Sequence, residues 1–239
     1  MSAEQKVAVV TGASQGIGAG IVQAFREQNY RVVATSRSIK PATDPDVVTV
    51  RGDIAARDTA EKVFKTAIER FGRVDTLVNN AGMFMAKPFT AYSGDDYAIY
   101  LSTNVTGFFH MTQRALELMS KQGYGHVVTI TTSLVDQPMS SVPAALASLT
   151  KGALSATTRA LAIEYAKTGV RVNAVSPGII KTPMHPPKAH QALAALHPMG
   201  RMGEVSDVVG AVLYLDGAGF VTGEVLHVDG GQAAGHHLP

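Results

Sequence analysis

Short apolar runs alternate along this chain with longer segments in which apolar residues recur every three to four positions. The runs at 7–10, 31–35, 47–51, 75–78, 125–132, 170–175 and 224–228 predict strands. Helical spacing predicts a helix after residue 18 and helices at 57–71, 95–120, about 144–167 and 204–215. Apolar strands alternating with helices are typical of a parallel sheet covered on both faces. We therefore predict an α/β fold, a doubly wound parallel sheet in three α/β/α layers, as a single domain over residues 1–239.

A glycine-rich turn joins the first predicted strand to the first predicted helix. It has the sequence TGASQGIG, with glycines at Gly12, Gly16 and Gly18. Glycines let the backbone turn sharply and approach a ligand, and the free N–H groups at a helix N-terminus favour an anion. The spacing is looser than G-x-G-x-x-G, and such turns also serve close packing. The turn nevertheless predicts a phosphate site.

The end of the second predicted strand indicates which dinucleotide the chain binds. Ser36 and Arg37 stand where an acidic residue would hold ribose hydroxyls and repel a 2′-phosphate. An arginine suits a phosphate, so we predict NADP(H) in preference to NAD(H). The alternative is a solvated surface arginine.

Polar residues also follow the third and fourth predicted strands. Asp53 is placed either to meet the adenine or to cap the helix that begins near Arg57. The turn Asn79-Asn80-Ala81-Gly82 is small enough for a nucleotide to lie close by, although similar turns often bind nothing. Because parallel strands end at the same edge of a sheet, these residues and Ser133 are expected to converge.

Composition and charge exclude several classes of protein. The chain is 46% apolar and 17% charged, with a net charge of +2, and favours neither a nucleic acid nor a membrane surface as partner. No cysteine is present, which excludes disulfides and thiolate chemistry. With no signal peptide and no run of about 20 apolar residues, we expect a cytoplasmic protein without a metal site. We expect His236 and His237, near the C-terminus, to bind nothing.

The whole chain resembles the classical short-chain dehydrogenases/reductases. The resemblance is carried in order by TGASQGIG, Asp53, the NNAG at 79–82, Asn104, Ser133, Lys151, the SPG at 176–178 with Thr182, and VTGEVLHVDGG near the C-terminus. It implies a Rossmann-type sheet, a nicotinamide cofactor, a small-molecule substrate and a homotetramer or homodimer.

The resemblance also implies roles for individual residues. Ser133 would orient the substrate oxygen, Lys151 would hold the nicotinamide ribose, and Asn104 would support a water relay. Asn104 can equally be read as a buried structural amide in mid-helix. The cofactor would be held by a larger set: Gly12, Ser14, Gln15, Gly16, Ile17, Gly18, Ser36, Arg37, Asp53, Ile54, Asn80, Ala81, Gly82, Lys151, Pro177, Gly178, Ile180 and Thr182.

One position departs from the family pattern. The family's catalytic tyrosine precedes the lysine by four residues, and Ala147 stands there. Loss of a positioned general acid costs about 10²–10⁴ in rate. Four explanations are open: another proton source, a substrate that is already electrophilic such as an iminium, a Tyr→Ala variant of an ordinary ketoreductase, or a non-catalytic NADP(H)-binding sensor or scaffold.

The substitute proton sources and the substrate region are less defined by the sequence. A water held by Lys151 and Ser133, the hydroxyl of Ser148, or a histidine of the segment 179–199 could supply the proton, the histidines being His185, His190 and His197. We expect this segment to be a short lid. An apolar pocket is predicted from Met83, Phe84, Met85, Met139, Val142 and Met184. The resulting hypothesis is an NADP(H)-dependent oxidoreductase of carbonyl or alcohol substrates.

Overall fold

The fold is a seven-stranded parallel sheet with helices on both faces. A computed structural model describes residues 5–235, so His236 and His237 lie outside the described residues. The strands run in the spatial order β3-β2-β1-β4-β5-β6-β7, and every neighbouring pair is parallel. Their bounds are β1 Val7–Thr11, β2 Arg31–Ser36, β3 Val47–Arg51, β4 Thr76–Asn79, β5 Gly125–Ile130, β6 Val170–Pro177 and β7 Val225–Val228. The Rossmann-type single-domain fold is confirmed.

Helices cover the sheet on each side. They are α1 Gly16–Glu27, α2 Arg57–Phe71, α3 Gly94–Tyr100, α4 Gly107–Gln122, α5 Ala145–Tyr165, α6 His190–Ala194 and α7 Val205–Gly217. Gly72 ends α2 in the left-handed conformation, as a C-terminal glycine does. No helix among residues 5–235 is long and apolar enough to cross a bilayer.

The helix predicted over 95–120 is interrupted. A π-helical segment, Leu101–Thr106, separates α3 from α4, and Asn104 is its buried residue. Ser93 and Asp96 form a capping box that begins α3, so the helix starts where the sequence indicates. A π segment inserts an extra residue into a helical turn and is frequent at functional sites.

The fifth strand also differs from the prediction. Strand β5 ends at Ile130, two residues earlier than expected, because the chain turns into a short 3₁₀ helix at Ser133–Val135. The Thr131 N–H still donates to the Val175 carbonyl of β6 at 2.8 Å. Ser133 therefore lies just beyond the carboxyl end of β5, outside the sheet.

Alternate residues of the strands fill two separate cores. Val9, Leu77, Val127 and Val172 face α2, α4 and α5, whereas Ala8, Val10, Val78 and Val128 face α1 and α7. Each of these side chains is fully buried. Burial on both faces explains why the strands are continuous apolar runs rather than alternating ones.

A closed polar cluster lies at the amino ends of the strands. This amino-edge cluster consists of Tyr30, Thr76, His126, Asn173 and Asp216. Asp216 accepts hydrogen bonds from the Tyr30 hydroxyl at 2.5 Å and from the Thr76 hydroxyl at 2.6 Å. The two nitrogens of His126 lie 3.5 Å from Asp216 and 3.0 Å from Asn173. The cluster ties α7 to the sheet.

Candidate active site

A cavity of about 240 Å³ opens at the carboxyl ends of the strands. It is bounded by the glycine-rich turn, the NNAG turn, the end of β5, helix α5, and the segment after β6. The predicted site residues that line it are Gly12, Gln15, Gly16, Ile17, Asn80, Ala81, Gly82, Ser133, Lys151, Pro177, Gly178, Ile180 and Thr182. The expected convergence at one edge is therefore observed, as it is for ligand sites in other open α/β sheets.

Close packing at the glycine-rich turn requires glycine at two positions. Gly12 has a φ of 63°, and a Cβ there would lie 2.8 Å from the Cα of Ala81. A Cβ on Gly18 would lie 2.3 Å from the Gly12 carbonyl oxygen. Gly18 does not line the cavity; its absent side chain lets the start of α1 approach the turn. The cradle is therefore shaped for a phosphate group beside the helix N-terminus.

Asn80 braces this turn with its side chain. Its amide nitrogen donates to the carbonyls of Thr11 and Gly12 at 2.9 and 3.2 Å. The Thr11 hydroxyl accepts from the backbone N–H groups of Asn80 and Ala81. The two turns thus form one rigid floor, and Asn80 contributes through structure as well as through the cavity surface.

The residues predicted to bind the adenosine part of the cofactor lie outside the cavity. Ser14, Ser36, Arg37, Asp53 and Ile54 do not line it in the described part of the chain. Arg37 is exposed at the end of β2. The Arg51 guanidinium, which sequence reasoning missed, donates to the Arg37 carbonyl at 2.8 Å. The Arg51 guanidinium therefore lies against the backbone of Arg37, where the sequence predicts the 2′-phosphate.

Asp53 does not cap α2, contrary to one of the two expectations. Its carboxylate accepts from the N–H of Ala55 at 3.0 Å, and Ala56 occupies the N-cap without a side-chain hydrogen bond. Asp53 therefore closes a local turn before the helix. The Ile54 side chain is buried against Gly107, so only the backbone of Ile54 is left to face a ligand.

Lys151 is the cation of the cavity. Its Nζ donates to the Thr131 carbonyl at 2.9 Å and lies 3.5 Å from the Ile130 carbonyl. Burial lowers the pKa of Lys151 to about 8. A Cβ on Gly82 would lie 3.8 Å from this nitrogen, so the NNAG turn and the ammonium face each other closely.

Asn104 has its side chain fully engaged. Its oxygen accepts from the Met83 N–H at 2.9 Å, and its nitrogen donates to the Thr150 hydroxyl at 3.1 Å and to the Met83 carbonyl at 3.3 Å. These bonds hold the chain after the NNAG turn against α5. Asn104 does not line the cavity, and these partners fit a structural amide. The water relay that the family resemblance implies stays a prediction.

Ser133 is paired with a residue that the sequence analysis did not identify. Its hydroxyl lies 2.8 Å from Oε1 of Gln232, and both side chains are almost completely buried while lining the cavity. The two residues are 99 positions apart. No local pattern connects them, so only the fold reveals the pair.

Ala147 lies one helical turn before Lys151 on α5 and is fully buried. It packs in a cluster with Tyr100 and Leu134. The Tyr100 hydroxyl is bonded to the backbone of Met85 at 2.6 and 3.0 Å. Burial raises the pKa of Tyr100 to about 12. Tyr100 does not reach the cavity and is a poor proton donor.

The segment 179–199 covers the cavity from one side. Thr182 packs at Gly16, where a Cβ would lie 3.3 Å from the Thr182 methyl. His185 lines the cavity, with Nδ1 2.8 Å from the Ile180 carbonyl. His190 reaches the His185 carbonyl, and His197 is buried between the Leu193 carbonyl and the Ile179 N–H.

The predicted apolar pocket divides into two groups. Met83, Phe84 and Met184 line the cavity. Met85, Met139 and Val142 pack instead around the cluster that contains Ala147. Ser148 donates to the Leu134 carbonyl at 3.1 Å and does not line the cavity. Among residues 5–235, no group of three or more His, Cys, Asp or Glu side chains could hold a metal ion.

Known proteins match this chain over nearly its full length. Residues 12–233 match a family model described as enoyl-(acyl carrier protein) reductase. A (2S)-[(R)-hydroxy(phenyl)methyl]succinyl-CoA dehydrogenase subunit from Thauera aromatica is 34% identical, covering 98% of each chain. The structure of ElxO with NADP bound has a TM-score of 0.91 at 27% identity, covering 97% of this chain and 100% of that one. A 3-ketoacyl-(acyl-carrier-protein) reductase from Brucella melitensis complexed with NADH has a TM-score of 0.90 at 28% identity, covering 96% and 99%.

The family follows from the sheet order, the glycine-rich turn, the converging serine and lysine, and matches that extend from one end of the chain to the other. The chain belongs to the classical short-chain dehydrogenases/reductases, a family of oxidoreductases.

Proposed function

We propose that the protein is an NADP(H)-dependent oxidoreductase of carbonyl or alcohol substrates whose proton source is not a tyrosine. The observation that carries the proposal is the continuity of one cavity. It joins the glycine-rich turn, which suits a phosphate, to Ser133 and Lys151, which suit a substrate oxygen and a ribose. A binding site for phosphate alone would not need the second pair of residues.

The cofactor preference rests on the arginines beyond the cavity. Arg37 is exposed just after β2, and the Arg51 guanidinium at the end of β3 donates to its carbonyl. The Ser14 and Ser38 hydroxyls lie 3.5 Å apart. Such groups suit a 2′-phosphate. The related ElxO structure holds NADP, whereas the related Brucella reductase holds NADH, so the preference of this chain rests on its own residues.

Three side chains would support the reaction at the nicotinamide end of the site. The nicotinamide of the cofactor carries the hydride. Ser133 would hold the substrate oxygen, Lys151 would hold the ribose and supply positive charge, and Asn104 would keep the floor of the site in place. The residues of 177–182 would close over the nicotinamide because Thr182 already packs at Gly16.

Lys151, acting through a water, is the proton source that we favour. Its pKa of about 8 is close to neutral, and two backbone carbonyls account for two of its three protons. His197 has both ring nitrogens engaged, and the Ser148 hydroxyl donates its proton to the Leu134 carbonyl. His185 is the competing donor because it lines the cavity.

A small or medium-sized apolar substrate is the best match for the cavity. Met83, Phe84, Leu134 and Met184 are among the apolar residues that line it. Flexible methionines adapt to ligands of different shape. No Asp or Glu side chain lines the cavity among the described residues, so an anionic or neutral compound suits it better than a cation.

We also propose a homotetramer built on the long helices. Helix α5 exposes an apolar stripe at helical spacing, made up of Ala145, Leu149, Ala153, Ala156, Ala160 and Ile163. Leu149 is 55% exposed and Ile163 81% exposed, and Phe109 on α4 is 52% exposed. A long helix with an uncovered apolar stripe is typical of an interface between copies. Sedimentation as a monomer would contradict this assembly.

A second candidate is a non-catalytic NADP(H)-binding protein. The observation that favours it is the burial of Ala147, which leaves no tyrosine among the cavity-lining residues of the described chain. A sensor would keep the glycine-rich turn and the arginines but would not need Ser133 to face the cavity.

The test is NADPH binding by fluorescence, followed by NADPH oxidation with a panel of ketones, aldehydes and imines. Turnover by the unmodified protein supports the oxidoreductase. A rate that falls as pH rises through about 8 supports Lys151 as the donor, and loss of turnover in His185→Gln supports His185. Binding without turnover across the panel supports the sensor, and absence of NADPH binding contradicts both candidates.

A further inference from the structure

Gln232 holds a fixed position between Ser133 and the segment 179–199. It begins a short 3₁₀ helix, Gln232–Ala234, directly after Gly230 and Gly231, both of which have positive φ. The Asp229 carboxylate fixes this turn by accepting from the N–H groups of Gly231 at 2.9 Å and Ala233 at 2.7 Å. The Gln232 side chain is 3% exposed and lines the cavity.

The orientation of the Gln232 amide follows from its second partner. Its Nε2 donates to the Leu196 carbonyl at 3.0 Å. A rotated amide would place Oε1 against that carbonyl, and two acceptors repel each other. The oxygen of the amide therefore faces Ser133.

The orientation of the amide fixes the direction of the hydrogen bond between Ser133 and Gln232. Oε1 of Gln232 can only accept, so the Ser133 O–H donates its proton to Gln232 at 2.8 Å. The hydrogen bonds of the described residues include none donated to Ser133 Oγ. Its lone pairs therefore remain available to a ligand, while its proton does not.

We propose that Gln232 is a positioning residue that makes Ser133 a hydrogen-bond acceptor, so that the reacting end prefers a ligand bearing a hydroxyl or N–H group over the matching carbonyl compound. The proposal rests on the proposed function, because it concerns the alcohol and carbonyl forms of one substrate. A carbonyl must compete with Gln232 for the Ser133 proton, whereas an alcohol donates to Ser133 without breaking that bond.

The Leu196 carbonyl connects this preference to the lid segment. Leu196 follows α6 within the segment 179–199, and its carbonyl keeps the Gln232 amide from rotating. His197, the next residue, accepts from the Ile179 N–H at 3.0 Å and anchors the same segment to the end of β6. The position of this segment thus determines which way the Ser133 proton points.

The test compares cyclohexanol with cyclohexanone, two probes of nearly equal shape, by NMR of protein labelled with ¹³C in the methionine methyls. Met83 and Met184 line the cavity and report its occupancy, and each signal is assigned with a Met→Leu variant. Dissociation constants of the two probes are measured separately. Their ratio isolates Ser133 polarity because changes in pocket shape affect both probes alike.

Three variants sharpen the comparison. Gln232→Met keeps the size of the side chain and removes its acceptor, so the affinity ratio should move about fivefold toward cyclohexanone. Gln232→Glu keeps an oxygen acceptor facing Ser133 but loses the donor to the Leu196 carbonyl, so the ratio should still favour cyclohexanol. Gln191→Met makes the same chemical change at an exposed position of α6 and should leave the ratio unchanged.

Several outcomes would overturn the proposal. If the unmodified protein binds cyclohexanone more tightly than cyclohexanol, Ser133 is not the hydrogen-bond acceptor that we propose. An unchanged affinity ratio in Gln232→Met, including an equal loss of affinity for both probes, would assign Gln232 a purely structural role. Failure of both probes to shift Met83 and Met184 would also refute it. NADPH fluorescence, measured separately, still decides the proposed function in each case.

Discussion

The two edges of the sheet each hold buried titratable groups, yet they are built differently. At the amino edge, Asp216 is bonded to Tyr30 and Thr76, and His126 lies between Asp216 and Asn173. At the carboxyl edge, Lys151 and Ser133 each have protein partners but also face a cavity.

Burial shifts the pKa at both edges. It lowers the pKa of Lys151 to about 8 and also lowers that of His126. Burial alone would raise the pKa of Asp216, but hydrogen bonds from His126, Thr76 and Tyr30 bring it to about 2. A shifted pKa therefore does not by itself identify a functional site. Among the described residues of the two edges, Ser133 and Lys151 at the carboxyl edge line a cavity, and this difference favours a functional site there.

The largest effect is expected from restoring a tyrosine at the carboxyl edge. Ala147→Tyr would add a positioned general acid and should raise carbonyl reduction by about 10²–10⁴-fold. NADPH oxidation at saturating substrate measures the change. Glu164→Tyr, at an exposed position of the same helix outside the apolar stripe, is the control and should have no effect. An inactive but folded Ala147→Tyr that binds NADPH would show that more than the tyrosine is missing.

The next effect concerns close packing in the glycine-rich turn. Gly18→Ala would place a Cβ 2.3 Å from the Gly12 carbonyl oxygen, so we expect a loss of roughly 2–4 kcal/mol in stability and markedly weaker NADPH binding. Gly210→Ala in α7 has open space around it and should be neutral or stabilising by up to about 1 kcal/mol. Thermal melting measures the stability of the two variants, and NADPH fluorescence measures their cofactor binding. Equal stability and equal NADPH binding would contradict the close contact between position 18 and the Gly12 carbonyl.

A tenfold effect is expected from removing the cation of the cavity. Lys151→Met should weaken NADPH binding by about tenfold, because the ammonium supplies charge-assisted hydrogen bonds. In the unmodified protein the ammonium is lost as pH rises through about 8, so affinity should fall above that pH. The variant should show no such fall. Lys62→Met, at an exposed position of α2, is the control and should retain the pH dependence.

A smaller effect concerns the choice of cofactor. Arg37→Asp should shift the affinity ratio of NADPH to NADH by about five- to tenfold toward NADH, because a carboxylate repels the 2′-phosphate. Arg51 lies beside it and should retain part of the preference. Arg70→Asp, exposed near the end of α2, should leave the ratio unchanged. An unchanged ratio in Arg37→Asp would remove Arg37 from the cofactor site.

The smallest effect is expected at the amino edge and concerns stability alone. The pKa of folded His126 lies below that of the unfolded chain, so the unfolded state binds more protons and the free energy of unfolding falls as pH drops below about 6.5. The expected slope is about 1.4 kcal/mol per pH unit for one full proton. His126→Asn should flatten it in urea titrations, whereas His110→Asn should not. Loss of NADPH binding in His126→Asn would contradict the separation of the two edges.

Much of the fold could be predicted because it depends on local patterns. The strands at 31–35 and 47–51 and the helix at 57–71 follow from apolar spacing and from Gly72. The convergence of Gly12, Ser133 and Lys151 follows from the geometry of parallel strands. These features need no knowledge of which side chains meet.

The parts that could not be predicted depend on pairs of residues far apart in the chain. Ser133 with Gln232 and His126 with Asp216 are 99 and 90 positions apart, respectively. The role of Asp53 was ambiguous because a carboxylate before a helix can bond to several backbone N–H groups. In the structure it bonds to Ala55 rather than capping α2.

The π segment Leu101–Thr106 has a consequence for changes in chain length. Six residues of a π segment turn through about 500°, which is about the angle that five α-helical residues turn through, so the segment holds one extra residue without rotating α3 relative to α4. Deleting one residue ahead of Asn104 in this segment should therefore keep Tyr100 on the backbone of Met85. The same deletion should move Asn104 away from Met83 and Thr150, because Asn104 lies within the segment. The extra residue thus sets where Asn104 stands, while the helices on either side keep their faces.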